Sequence, residues 1–262
     1  MKRLFKPFAI IGAVLVVTCI GLIISATKLG AAFSLPISYN NNALHSIHSD
    51  NFPSDLTNVH EINIETSACS VIIKSGDGFS VEYSGVIGNL FCETTDDTLF
   101  IYATDHDFLS FGNISNLDEP PIIIVTVPQG HIFDYAAIQS SFGNIEVKNV
   151  TINSFYADSD VGNIRLQAIN AEEIFLNCDV GNTEIIDCDV AYLEYDGDVG
   201  TFTLNTSGNV SEYYIQAESD VGTIYVNGAR FSSFESNVNN GNEKRTLMVF
   251  SSVGDIVINI YE

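Results

Sequence analysis

Basic residues are scarce in this 262-residue chain, which has 10 Lys and Arg against 33 Asp and Glu and a net charge of −23. Nucleic-acid binding needs Lys and Arg to replace the counterions of the phosphate backbone, so this balance argues against a nucleic-acid partner. Anionic lipid surfaces and acidic polymers are repelled for the same reason. Trp is absent and Pro occurs only 6 times, yet hydrophobic residues make up 46%, which is too many for a disordered chain.

Acidic residues are absent from the first 49 residues, which contain the one long apolar run, Phe8–Thr27. At ~1.5 Å per residue, a helix of this length spans about 30 Å, the thickness of the hydrocarbon core of a bilayer. Lys2, Arg3 and Lys6 precede the run and favour a cytoplasmic N-terminus. We therefore expect a cytoplasmic segment at residues 1–7, a single-pass transmembrane helix at residues 8–27, and an extracellular C-terminal domain.

A cleaved secretory signal is the alternative interpretation of this segment. Such signals have an apolar region of about 7–15 residues, and the run here is longer, which favours an uncleaved anchor. Both interpretations export the acidic part of the chain. Residues 28–54 contain Pro36, Pro53 and a triplet of Asn residues at 40–42 without any periodic pattern, so we expect a linker there.

Internal repeats dominate the second half of the chain. The segment Ser159–Leu166 recurs, and the glycines of the successive copies are separated by 19, 19, 19, 22 and 32 residues. Equal spacing is typical of a solenoid, and the longer late intervals indicate loops inserted into late rungs. Each glycine predicts a turn that needs positive φ or a close backbone approach. These predicted turn glycines are Gly143, Gly162, Gly181, Gly200, Gly222 and Gly254.

Apolar residues alternate with polar ones within each repeat. Phe155 and Ala157 are predicted to point inward before the turn, and Ile164 and Leu166 after it, which is the period of short strands. One unit cannot bury its own apolar face, but units stacked at ~4.8 Å can. We therefore predict an all-β protein whose residues 131–262 form a β-solenoid of about six rungs, each about 19 residues long, stacked in sequence order.

Residues 55–130 are also rich in β-strand patterns but lack the repeat. Alternation over residues 60–66 and 122–127 predicts strands, and Pro128-Gln129-Gly130 ends the second of them. The exposed end of a solenoid needs a cover, so we expect this region to form an N-terminal β-sheet cap.

The order of these features resembles a known family. A membrane segment is followed by β-strands that end in Val125–Pro128, and then by rungs that carry Gly-Asn-Ile or Gly-Thr-Ile after Ser-Asp-Val. Over roughly residues 58–262 the chain resembles the bacterial putative adhesins, a family of β-strand-repeat domains of unknown function. The resemblance implies a surface or cell-envelope protein, and some members are linked by context to envelope stress responses. It implies no catalytic residues.

One column of the stacked rungs is expected to be acidic, because Asp160, Asp179, Asp198 and Asp220 share a position in the repeat. Calcium takes six to eight oxygen ligands from such carboxylates, so a calcium or ligand-binding face is one interpretation. The repulsion between two exposed charges ~5 Å apart is only about 0.8 kcal/mol in water, which needs no ion to offset it. The other interpretation is a solvated acidic face whose Asp side chains cap the turn amides, with no cofactor.

Motifs for catalysis are missing from the sequence, which has no Gly-x-Ser-x-Gly elbow, His-Glu-x-x-His or phosphate-binding loop. We therefore predict a protein without enzymatic activity that acts as a binding, adhesion or scaffolding module at the cell envelope. Its expected partner is an envelope polymer or a membrane or surface protein. The alternatives are a regulatory module of an envelope stress response that acts through a membrane partner and, more distantly, a carbohydrate-active enzyme.

Four cysteines lie in the exported part, at Cys69, Cys92, Cys178 and Cys188. They allow three disulfide connectivities, and their spacing indicates none of them. Cys178 and Cys188 fall at or near inward positions of the repeat, so we expect both to be small core residues.

Overall fold

The computed structural model describes residues 45–46, 56, 58–84, 89–104, 121–236 and 245–261. All of them belong to one compact unit, Asn40–Glu262. They form β-strands and turns, as predicted for an all-β protein, with a 3-10 turn at Val210–Glu212. No helix within these ranges is long and apolar enough to cross a bilayer. The predicted membrane helix, residues 8–27, lies outside the described residues.

The strands are numbered in chain order and form two sheets, sheet A and sheet B. They are β1 (His45–Ser46), β2 (Glu61–Thr66), β3 (Ser70–Gly76), β4 (Ser80–Ser84), β5 (Asn89–Thr95), β6 (Thr98–Thr104), β7 (Ile122–Pro128), β8 (Ile132–Phe142), β9 (Ile145–Lys148), β10 (Thr151–Val161), β11 (Ile164–Gln167), β12 (Asn170–Val180), β13 (Thr183–Ile186), β14 (Asp189–Val199), β15 (Phe202–Ser207), β16 (Tyr213–Val221), β17 (Ile224–Val226), β18 (Ala229–Phe231), β19 (Ser233–Glu235), β20 (Arg245–Val253) and β21 (Ile256–Tyr261). The order in sheet A is β1-β4-β7-β3-β9-β11-β13-β15-β21-β17-β18, and the order in sheet B is β19-β16-β20-β14-β12-β10-β8-β2-β6-β5.

Each repeat forms one rung, a long strand of sheet B followed by a short strand of sheet A. Neighbouring rungs pair in parallel, so that Phe155 lies beside Ile174 and Ile164 beside Thr183. Phe155, Ile164 and Leu166 have no exposed surface and belong to one continuous hydrophobic core. Burying such a side chain stabilises the folded state by roughly 1.5–3 kcal/mol, and the stacking of rungs buries side chains of this kind in every rung. The solenoid predicted from the alternation is confirmed.

In strands β8, β10, β12 and β14 of sheet B the alternation of buried and unburied residues breaks near the beginning, and the strand pairing skips the same positions, which indicates a bend in each strand. Two successive residues are unburied at the bend, for example Glu172 and Glu173 in β12 and Ala191 and Tyr192 in β14. The first residue of each pair therefore faces a different side of the solenoid from the second. The sequence pattern did not predict this bend.

The stacking order departs from sequence order at the C-terminal end. Strands β20 and β21 lie between the rung of β14 and β15 and the rung of β16 and β17, so that Ile258 is flanked by Leu204 and Val226. The prediction that the rungs stack in sequence order is therefore wrong here. Strands β16 and β17 use their outer edges to pair with the antiparallel strands β19 and β18. The last rung can join them only on the inner side.

The N-terminal end mirrors this arrangement. Strands β2 and β3 pair in parallel with β8 and β9, while β6 and β7 lie outside them and pair with the antiparallel strands β5 and β4. Residues 61–76 thus form a further rung of the same two sheets, and the antiparallel strands close the end. At the opposite end, Phe231 and Phe234 pack against the core with ring centroids 4.8 Å apart. Closed ends leave fewer strand edges available for other chains.

Candidate functional site

The predicted glycines lie at the corner of each rung, where the chain passes from its sheet B strand to its sheet A strand. A Cβ at Gly162, Gly181, Gly200, Gly222 or Gly254 would lie less than 3.0 Å from the carbonyl oxygen of the glycine in the adjacent rung. The backbone N–H of Gly181 donates to the carbonyl of Val199 at 2.9 Å, and Gly143, Gly162, Gly200 and Gly254 form the equivalent bond. The glycines are therefore required by the close approach of successive backbones.

An asparagine ladder follows the glycine column. The Oδ1 atoms of Asn144, Asn163 and Asn182 each accept the backbone N–H of the next rung at 2.9 Å. Asp255 does the same for the N–H of Thr223 at 2.8 Å. These bonds satisfy turn amides that would otherwise lack a partner. The recurring Asn or Asp directly after the glycine is the sequence signal that could have predicted the ladder.

The four predicted aspartates do not form one continuous column. Asp160, Asp179 and Asp198 lie on successive rungs, but the inserted β20 places Ser252 between Asp198 and Asp220. The Ser252 hydroxyl lies 3.4 Å from Oδ1 of Asp198. The turn amides are bound by the asparagine ladder and not by these aspartates, so that part of the expectation is wrong. Among the described residues, no three His, Cys, Asp or Glu side chains converge to hold a metal ion.

Asp179 lies in the middle of this acidic column. Its pKa is raised by partial burial and by the charges of Asp198, Asp160, Asp158 and Asp196. A raised folded-state pKa means that the ionised form of Asp179 is disfavoured in the folded protein. Ionised Asp179 therefore destabilises the folded protein. This destabilisation is absent at low pH, where Asp179 is protonated, and it develops as the pH rises through the folded pKa.

Replacing Asp179 should stabilise the protein at neutral pH. We expect Asp179→Asn to raise the Tm at pH 7, and the gain to shrink below pH ~4 and at ~1 M salt, because protonation and screening each remove the repulsion. Thermal melts over pH and salt measure this. Asp77→Asn is the control, since Asp77 lies in an exposed turn outside the column. An equal gain in both variants, or a gain that persists at low pH, would contradict the role of charge repulsion.

The outward face of sheet B combines aromatic and acidic side chains. The rings of Phe175 and Tyr192 lie 5.6 Å apart, and the Tyr192 hydroxyl donates to Glu194 at 2.6 Å, which raises the pKa of Tyr192 to about 12. Two rungs away, on β10, the Tyr156 hydroxyl donates to Asp158 at 3.2 Å. These bonds hold the rings on the sheet surface with their carboxylate partners beside them.

Positive charge is distributed unevenly between the two sheets. Within the described strands of sheet B, Arg245 is the one Lys or Arg. The strands of sheet A carry Lys74, Lys148, Arg165 and Arg230. The electrostatic potential is therefore most negative over sheet B, which favours a cationic or neutral partner there.

A groove of about 460 Å³ lies along the bend in sheet B. Arg245 forms ion pairs with Asp189 and, at 3.8 Å, with Glu212, and its guanidinium lies 5.5 Å from the centre of the Tyr213 ring. Arg245 thus joins the inserted rung to the rungs on both sides of it. The groove is lined by Thr151, Asn153, Asn170, Ala171, Glu172, Asp189, Ala191, Glu212 and Arg245. Sequence reasoning missed it because its residues come from five segments of the chain.

Cys69, Cys92, Cys178 and Cys188 are buried, and no disulfide joins any two of them. Burial raises the pKa of Cys92 to about 12 and the pKa values of Cys178 and Cys188 to about 11. The thiols therefore stay protonated at neutral pH, which is the state of unreactive core residues.

The family model described as Toastrack DUF4097 matches residues 59–258, which include both the repeats and the N-terminal rungs. The chain belongs to this family. The resemblance to a β-strand-repeat family of unknown function is thereby confirmed. No curated protein matches the Toastrack chain.

Solved structures similar to the Toastrack chain include two from adhesion-type proteins. One is a putative cell adhesion protein from Clostridium sporogenes, 13% identical, covering 83% of this chain and 97% of its own, with a TM-score of 0.43. Another is a putative adhesin from Bacteroides fragilis, 14% identical, covering 84% and 97%, with a TM-score of 0.45. A putative lipid binding protein from Parabacteroides distasonis is 14% identical, covers 82% and 97%, and has a TM-score of 0.26. At these TM-scores the likeness carries no argument about function.

Proposed function

We propose that this Toastrack chain is a binding or scaffolding module of the cell envelope, without catalytic activity, whose contact surface is the outward face of sheet B. The observation that supports this is the pairing of fixed aromatic rings with carboxylates, as at Tyr156–Asp158 and Tyr192–Glu194, on a sheet face with almost no positive charge. Aromatic rings supply apolar contact area, and the carboxylates select partners of complementary charge.

The proposal places the solenoid outside the cell, held by a single-pass anchor at residues 8–27 with its N-terminus in the cytoplasm. Its partner is an envelope polymer or a membrane or surface protein. Sheet B then provides the recognition surface, and the anchor keeps the surface close to the membrane.

Crosslinking in cells followed by pull-down tests the proposal. The full-length protein is compared with a form in which residues 1–30 are replaced by a cleavable signal. We expect both to recover the same envelope polymer or surface protein. Asp158→Asn with Asp196→Asn, which removes two charges from sheet B, should reduce recovery. Glu146→Gln with Glu184→Gln, which removes two charges from sheet A, should not.

Two results would overturn the proposal. Equal recovery with the sheet A and sheet B variants would show that the face of sheet B is not the contact surface. Recovery of a membrane signalling protein only with the native residues 1–30 would instead support the regulatory module of an envelope stress response.

A further inference from the structure

A small side chain opens the groove at the bend of sheet B. The outward position at the bend is held by Glu172 on β12, by Ala191 on β14 and by Arg245 on the inserted β20. The Cα atoms of Glu172 and Arg245 are therefore two rungs, or about 9–10 Å, apart, and only the methyl group of Ala191 lies between the two side chains. Longer side chains at position 191 would fill this space.

The far wall of the groove is held in place by its own hydrogen bonds. Glu212 ends the 3-10 turn Val210–Glu212, whose N-cap Asn209 accepts from the backbone N–H of Ser211 at 2.9 Å and from its hydroxyl at 2.8 Å. Arg245 ties Glu212 to Asp189 across the end of the groove. The volume of about 460 Å³ lies within the range of small-ligand sites.

Only some of the polar side chains that line the groove form hydrogen bonds or ion pairs with other described residues. The charge of Arg245 is matched by Asp189 and Glu212, whereas Glu172 makes no hydrogen bond or ion pair with any described residue. The side chains of Thr151 and Asn170 likewise make no hydrogen bond within the described residues. The groove therefore offers a hydroxyl, an amide and one uncompensated carboxylate to a ligand.

These groups match a ring that carries both hydroxyls and a positive charge. We propose that the groove binds one pyranose unit with a free amino group, its ammonium on Glu172 and its hydroxyls on Thr151 and Asn170. This inference rests on the proposed function and specifies it, because the envelope component recognised is then an amino-sugar polymer. Uronic acids and phosphorylated sugars are disfavoured by the carboxylates, and N-acetylation removes the ammonium.

Binding of defined oligosaccharides by the full-length protein in nanodiscs tests the inference. Isothermal titration with a β-1,4-linked glucosamine tetramer should show saturable binding, which the N-acetylated tetramer and a galacturonate tetramer should not. Glu172→Gln should weaken binding about tenfold, since it removes a charge-assisted hydrogen bond. Ala191→Leu, which fills the groove, should weaken it by at least as much.

Glu82→Gln is the matched control, because it makes the same charge change on β4 of sheet A, outside both the groove and the face of sheet B. We expect it to leave the affinity within about twofold. No saturable binding, equal weakening by Glu172→Gln and Glu82→Gln, or equal affinity for the N-acetylated tetramer would each overturn the inference. If the groove variants have no effect while Asp158→Asn with Asp196→Asn still reduces envelope pull-down, the amino-sugar inference fails and the proposed function stands.

Discussion

Gly181→Ala is expected to lower the free energy of unfolding by about 3 kcal/mol or more, enough to prevent folding in a marginally stable background. The added Cβ would lie less than 3.0 Å from the carbonyl oxygen of Gly162, which is main chain and belongs to the same hydrogen-bonded corner. That oxygen cannot move away alone, because the glycine corners of neighbouring rungs stack in the same way. Denaturant unfolding followed by circular dichroism measures the loss.

Gly78→Ala is the matched control for this substitution. Gly78 lies in the exposed turn between β3 and β4, and a Cβ there meets nothing within 4 Å. We expect it to change the free energy of unfolding by no more than about 0.5 kcal/mol. A loss of similar size in the two variants would show that the close approach of the corner backbones is not what requires glycine.

Deletion of residues 245–262 is expected to abolish cooperative unfolding and to expose apolar surface, measured as dye binding and aggregation. In a solenoid stacked in sequence order, this deletion would remove the terminal rung and leave the others in contact. Here it removes an internal rung that buries Leu247, Val249, Ile256 and Ile258. Burial of these side chains contributes roughly 10 kcal/mol, comparable with the total stability of a typical domain of about 5–15 kcal/mol.

Engineered disulfides show directly whether the last rung occupies the inserted position. Thr203 lies directly beside Val257 on sheet A, and Val257 lies beside Tyr225. The pair Thr203→Cys with Val257→Cys should form a disulfide, since neighbouring strands bring the Cα atoms within bridging distance. Thr203→Cys with Tyr225→Cys should not, because two rungs separate the Cα atoms by about 9–10 Å. The opposite result would show that the rungs stack in sequence order and that the last rung is not inserted.

The repeat and its core could be read from the sequence because they depend on local pattern. Inward residues such as Phe155, Ile164 and Leu166 follow from period two, and the glycine after each strand marks a corner. The groove could not be predicted in this way. It depends on Arg245 lying next to Ala191, which are 54 positions apart in the chain and meet only because the last rung is inserted.

The sequence by itself determined the all-β solenoid, the length of its rungs, the direction of most side chains and the family. Only the tertiary structure decided which rung lies beside which at the two ends. The rungs have nearly identical edges, so backbone pairing alone does not discriminate between stacking orders. The antiparallel strands decide the stacking order. Strands β4 and β5 cover the outer edges of β7 and β6, so the rung of β2 and β3 takes an inner position. Strands β18 and β19 cover the outer edges of β17 and β16, so the rung of β20 and β21 takes an inner position. That choice interrupts the aspartate column at Ser252 and brings Arg245 beside Ala191.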